Sequence, residues 1–92
     1  MPKYSLTWTN TFLRTARKFV RRHPDRAGLL DDVLHRLEGD PHDPRLRLHR
    51  LHGKHRDKHT VSLSYSYRIV LTLRITKKEI ILLDIGSHDE VY

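Results

Sequence analysis

The chain contains no cysteine, so it can build neither a disulfide framework nor a thiolate metal site. No apolar run approaches the length that crosses a bilayer, and Met1-Pro2-Lys3-Tyr4-Ser5-Leu6 lacks the apolar stretch of a signal peptide. Together these absences predict a chain that works in the reducing cytoplasm, without a membrane partner. Internal repeats and low-complexity tracts are missing as well, and the 92 residues suit a single domain spanning 1–92 with a compact core and no deep cavity. Acidic residues are scarce beside basic ones: eleven Asp and Glu stand against eighteen Lys and Arg, a formal charge of +7 with histidine neutral. Such a balance favours a polyanionic partner, because each phosphate neutralised releases condensed counterions.

Histidine is what the chain has in plenty. Eight imidazoles in 92 residues supply groups that take and give protons near neutral pH. Along the chain, Lys3 to Trp8 alternates polar and apolar residues as a short strand does. Thr9 or Asn10 is placed to cap a helix whose apolar stripe is Phe12, Leu13, Ala16, Phe19 and Val20. His23-Pro24 breaks that helix, and Pro24 suits the first position of a second, striped by Leu29, Leu30, Val33, Leu34 and Leu37 and stopped by Gly39. Asp40-Pro41-His42-Asp43-Pro44 reads as a loop.

Arg45 to His59 then carries six Lys or Arg and four His against one Asp. Three further strands follow at Thr60–Ser64, Tyr67–Ile75 and Glu79–Ile85, the last apolar on both faces as a covered interior strand is. The order β-α-α-β-β-β predicts an α+β fold, a helical hairpin packed on a mostly antiparallel four-stranded sheet.

Three features converge: this order of elements, the Leu51-His52-Gly53 step into basic strands, and the strand Tyr67-Arg68-Ile69-Val70 followed by the ending Asp84-Ile85-Gly86-Ser87-His88-Asp89-Glu90-Val91-Tyr92. Over essentially its whole length the chain resembles the RelE/ParE superfamily of bacterial toxins, nearest its RelE, HigB and YafQ branches. That resemblance implies a metal-independent, ribosome-dependent endoribonuclease with no cofactor, which enters the decoding site, cuts messenger RNA there, and is restrained by a cognate antitoxin. The YafQ-like pattern has histidines ahead of the Leu-x-Gly step, entering the next strand, and in the Gly-Ser-His turn, followed by a terminal aromatic. Those places hold His49, His59, His88 and Tyr92, and Arg68 takes the place of the arginine that follows a tyrosine across the superfamily. The same pattern has an aspartate four residues beyond the strand histidine, where this chain has Leu63.

These residue types suit the chemistry. The substrate's 2′-hydroxyl must lose a proton as it attacks phosphorus, and the departing 5′-oxygen must gain one, which suits histidine acid–base catalysis. His59 is assigned as base and His88 as acid, with His49 able to replace either. Arg68 offers a permanently charged donor fork to the phosphorane, and Tyr92 stacks on a base or positions the phosphate. Lys54, Arg56 and Lys58 are expected to guide the message, and the resemblance also allows a lysine–arginine version of the site in which Lys54 and Lys58 stabilise charge, while the basic residues from Arg14 to Arg22 face ribosomal RNA or plain solvent.

Blander readings stand beside these. His49, His52 and His55 have a three-residue spacing but neither a helix nor acidic neighbours to make a zinc site. Arg68 has Asp84 and Glu79 as cross-strand partners to pair with. His23, His35 and His42 read as solvent-facing. ParE-like members share the fold and inhibit DNA gyrase without cutting RNA, and an inactive binding relative is a third reading.

Overall fold

The computed structural model describes residues 3–87. Among them lie two helices and five strands: β1 (Ser5–Trp8), α1 (Asn10–Arg22), α2 (Ala27–Gly39), β2 (His49–Arg50), β3 (His59–Ser62), β4 (Tyr67–Arg74) and β5 (Glu79–Ser87). One sheet holds all five strands in the order β1-β5-β4-β3-β2, antiparallel except where β1 runs parallel to β5. This is the α+β arrangement the sequence predicts. The difference is β2, a two-residue edge strand inside the basic segment that makes the sheet five-stranded rather than four-stranded.

Thr9 starts α1 and ties it to the sheet. Its Oγ1 accepts from the Phe12 N–H at 3.2 Å and donates to the Leu82 carbonyl at 2.8 Å, so one hydroxyl caps the helix and fixes it against β5. Phe12, Ala16 and Phe19 recur at helical spacing and are buried, while Arg21 and Arg22 sit at the last turn, where the helix dipole favours cations. Pro24 opens a 3-10 turn, Pro24–Arg26, so α2 begins at Ala27 and not at the proline. Leu30, Val33, Leu34 and Leu37 then face the core.

Cross-strand partners share a face of a sheet, so the register sorts the strand side chains. Val61 lies opposite Ile69, Ile69 opposite Ile85, and Leu71 opposite Leu82, all of them in the cluster beneath the helices. Thr60, Ser62, Arg68 and Val70 alternate with these and belong to the other, more open face, where Ser62 and Arg68 are half-buried while Thr60 and Val70 are buried. A bulge adjusts β5: Val70 pairs with Asp84 but Leu71 with Leu82, leaving Leu83 as an extra residue. Leu82 and Ile85 thereby both enter the core although three residues apart, and Leu83 and Asp84 go to the open face together.

The basic segment is not loose. Asp43 accepts from the Arg45 N–H at 2.9 Å and pairs with its guanidinium at 2.8 Å, starting a 3-10 turn, Pro44–Leu46, that plunges Leu46 into the core at 1% exposure. That pairing draws the Asp43 carboxyl down to about 2. Leu51 is buried apart from the main cluster, and its N–H donates to the Lys58 carbonyl at 2.9 Å, closing residues 51–58 into a loop anchored at both ends.

Candidate functional site

The open face gathers two of the sequence's candidates. Arg68 sits on β4 opposite Ser62 on one side and Gly86 on the other, and Gly86 sends no side chain toward it. It is half-buried, its Nε is buried without a hydrogen-bond partner, and it forms no ion pair among the described residues. The structural alternatives for this arginine are thus not taken up. Glu79 accepts from Thr7 at 2.8 Å and pairs with Arg74 at 4.0 Å, and the Oδ1 of Asp84 is itself buried and unpartnered. A guanidinium held in a sheet with an uncommitted charge is a ready anion ligand.

His49 on β2 pairs with Thr60 and so shares the open face. Its Nδ1 lies 3.1 Å from the Arg47 carbonyl, which can only accept, so in the neutral ring that nitrogen carries the proton. Nε2 is then the basic nitrogen, and it accepts from the Thr60 hydroxyl at 3.3 Å. The tautomer and the aim of the ring are both set by neighbours, as a proton-transfer group requires. Two strand spacings of about 4.8 Å across and two residues of about 3.3 Å along separate the His49 and Arg68 Cα atoms by about 12 Å.

His59 lies elsewhere. Its partner is Leu71, which puts it on the face of Val61 and Ile69, away from Arg68. The Nδ1 is buried without a partner, and burial, then the charges of Arg50, His42 and His49, push the imidazole below its ordinary value and keep it neutral near pH 7. Leu63, two residues further along the same face than Val61, is buried at 3% in the core. Lys54 and Arg56 are exposed on the closed 51–58 loop beside β2, and Lys58 is half-buried at its return. His88 and Tyr92 lie outside the described residues. No three His, Asp or Glu side chains converge to hold a metal ion among the described residues.

Two features were not read from the sequence. His23, expected to face solvent, is half-buried: its ring packs 5.2 Å from Phe19 and 5.3 Å from Tyr67, and Nε2 lies 3.4 Å from the Tyr67 hydroxyl. The Phe19–His23 spacing of one helical turn was legible, but Tyr67 comes from 44 residues away. By contrast His35 and His42 are exposed beside Asp31 and Asp40, as expected. The second feature is an apolar groove of about 490 Å³ lined by Trp8, Leu13, Ala16, Val20 and Leu30, with Arg17 and Arg21 along it. Trp8 is 42% exposed there.

No protein-family model matches the chain, and no curated protein matches it either. Solved structures do. A copper-bound mutant toxin from Helicobacter pylori aligns with 97% of this chain and 99% of its own at 25% identity and a TM-score of 0.75. The RelBE2 toxin–antitoxin complex from Mycobacterium tuberculosis covers 96% and 100% at 17% identity and a TM-score of 0.73. YafQ from E. coli covers 97% and 98% at 12% identity and a TM-score of 0.72. Two helices on a mostly antiparallel sheet, matched from end to end, are the fold of the RelE/ParE superfamily of toxins. Toxins of toxin–antitoxin systems are thus what this chain is similar to, among them the YafQ type that its histidine pattern resembles.

Proposed function

We propose that the chain is the toxin of a type II toxin–antitoxin pair and a ribosome-dependent endoribonuclease acting on translated messenger RNA. The observation that supports this most is the guanidinium of Arg68, which has no ion pair among the described residues, with His49 held on the same face by the Arg47 carbonyl and Thr60. A structural arginine of this kind is expected to have a carboxylate, and Asp84, two residues along β5 from the Gly86 that faces Arg68, is near enough in register to have served, whereas Glu79 lies opposite Arg74 at the far end of the strand.

In the proposed reaction the 2′-oxygen forms a bond to phosphorus as the bond to the 5′-oxygen breaks, leaving a 2′,3′-cyclic phosphate and a free 5′-hydroxyl. His49 takes the 2′-proton through Nε2, exchanging the long hydrogen bond from Thr60 for one from the 2′-hydroxyl, because the register sets it on the arginine's face. His59, the sequence's first choice as base, is retained as a second candidate to be tested separately. His88 gives a proton to the 5′-oxygen, Arg68 stabilises the phosphorane, and Tyr92 stacks on a flanking base. Lys54, Arg56 and Lys58 guide the message along the loop beside His49. A cytoplasmic toxin of this kind needs restraint, and the groove at Trp8 suits an acidic amphipathic helix of an antitoxin. Apolar side chains would enter between Leu13, Val20 and Leu30 while carboxylates meet Arg17 and Arg21.

The test is a translating extract in which message ends are mapped by primer extension, with Arg68→Ala, His49→Ala, His59→Ala and His88→Ala in parallel. The reading expects cuts on translated message alone, lost with Arg68→Ala and strongly reduced with His49→Ala and His88→Ala. Intact message together with arrested DNA supercoiling would overturn it in favour of gyrase inhibition.

A further inference from the structure

A second basic site lies behind the first. Between α1 and the end of the β4–β5 pair is a cleft of about 140 Å³ whose wall includes Thr15, Lys18, Arg22, His23, Tyr67 and Gly86. Lys18 and Arg22 are four residues apart on α1, one helical turn, so ammonium and guanidinium reach the cleft from the same side. Neither forms an ion pair among the described residues, and α1 contains no acidic residue that would quench them. His23, next to Arg22 at the end of α1, and the Tyr67 hydroxyl add hydrogen-bonding groups to the lining, both rings packed 5.2 Å from Phe19, tilted for His23 and edge-on for Tyr67.

The charge balance favours an anion. The C-terminal end of α1 contributes only about half a negative charge against two full cations. Asp84 also lines the cleft, but its pairing with Val70 assigns its side chain to the open face. The position is informative as well. Tyr67 immediately precedes Arg68 in β4, and Gly86, which lines the cleft, is the residue opposite Arg68. The cleft and the candidate site are therefore back to back at one end of the same strand pair, so a single strand rounding that end would meet both.

We propose that Lys18 and Arg22, with His23 and Tyr67, form a second phosphate-binding subsite for single-stranded RNA, gripping the backbone at a nucleotide neighbouring the one held at Arg68. The choice of RNA as the polyanion rests on the nuclease reading. The binding itself does not require cleavage.

The test uses purified full-length protein and a fluorescent 2′-O-methyl RNA oligonucleotide, which cannot be cut, titrated between 50 and about 200 mM salt, a range over which phosphate neutralisation shows as a slope. Lys18→Gln/Arg22→Gln is compared with Lys77→Gln/Lys78→Gln, which removes the same charge from the exposed turn at the opposite end of the β4–β5 pair. The subsite predicts at least tenfold weaker binding for the first pair and a fall of about 1.4 in the slope of log affinity against log salt, near 0.7 for each single-strand phosphate left without its cation. The second pair should shift binding less than threefold with the slope unchanged. Tyr67→Phe, which keeps the ring packing, should weaken binding a few-fold without altering the unfolding midpoint.

Equal losses in both pairs, or none in either, would overturn the subsite. So would a nucleoside monophosphate or inorganic phosphate that binds the cleft while the oligonucleotide ignores Lys18 and Arg22, since the ligand would then be a free phosphate compound. Failure of message cleavage in the translating extract, with these binding differences intact, would sink the nuclease reading and leave the subsite standing.

Discussion

The two faces of the sheet obey different rules. Beneath the helices, Val61, Ile69, Leu71, Ile80 and Leu82 are fully buried in an apolar cluster, with His59 at its edge opposite Leu71. On the open face, Arg68 and Asp84 hold buried polar atoms that bond to nothing among the described residues, and His49 is oriented by a carbonyl and a hydroxyl. One face is optimised for stability. Apart from His59 Nδ1 at the edge of the first, the unpaired atoms of Arg68 and Asp84 lie on the other, each of the sort that costs about 1–3 kcal/mol when left so and that a bound partner can relieve.

Substitutions on each face sharpen the contrast. Leu71→Ala should have the largest effect on folding, about 2–5 kcal/mol in urea unfolding, since it opens a cavity in a closed core. Thr9→Ala comes next at about 1–2 kcal/mol, losing both the helix cap and the tie to β5. Thr60→Val should move stability by less than about 1 kcal/mol yet slow cleavage, because it removes the hydroxyl that aims His49 while preserving shape. If the slowing equals that of His49→Ala in size, the aim of the ring is what the hydroxyl contributes. An unchanged rate would take Thr60 out of the site.

His59 offers a smaller, pH-dependent test of the helix-side edge. Its folded value is depressed below the unfolded one, so the native state binds fewer protons than the unfolded chain once the pH drops under about 6.5. Stability should therefore fall between pH 7 and pH 5, and His59→Leu should flatten that part of the unfolding-midpoint profile. A profile that His59→Leu leaves unaltered would refute the half-buried, neutral imidazole. Asp43→Asn is the mildest change: its depressed carboxyl contributes above about pH 4 and loses that contribution as the pH approaches 2, and the variant should remove this acid-side decline alone.

Much of the fold was legible because its signals are local. Alternation marked β1, helical spacing marked both helices, and the doubly apolar Ile80–Leu83 run marked an interior strand. β2 was not legible: two residues in a run of cations carry no periodicity, and they pair only because Leu46 and Leu51 pin the segment around them. Candidate residues were read by type, but not by side. Whether His59 shares a face with Arg68 depends on register across β3 and β4, a parity that the linear order leaves open and that pairing with Leu71 decides. His23 escaped for a related reason, since its partner Tyr67 is brought beside it by topology alone.

Arg68 carries the central claim, and one paired measurement reaches it most directly: single-turnover cleavage of translated message and urea unfolding, both on Arg68→Gln. The account predicts cleavage slowed by about 10²–10³-fold, the usual cost of removing a charge-stabilising donor, with unfolding unchanged within about 1 kcal/mol. Cleavage at the wild-type rate, accompanied by a large loss of stability, would show that this arginine holds the sheet together and does not act on RNA.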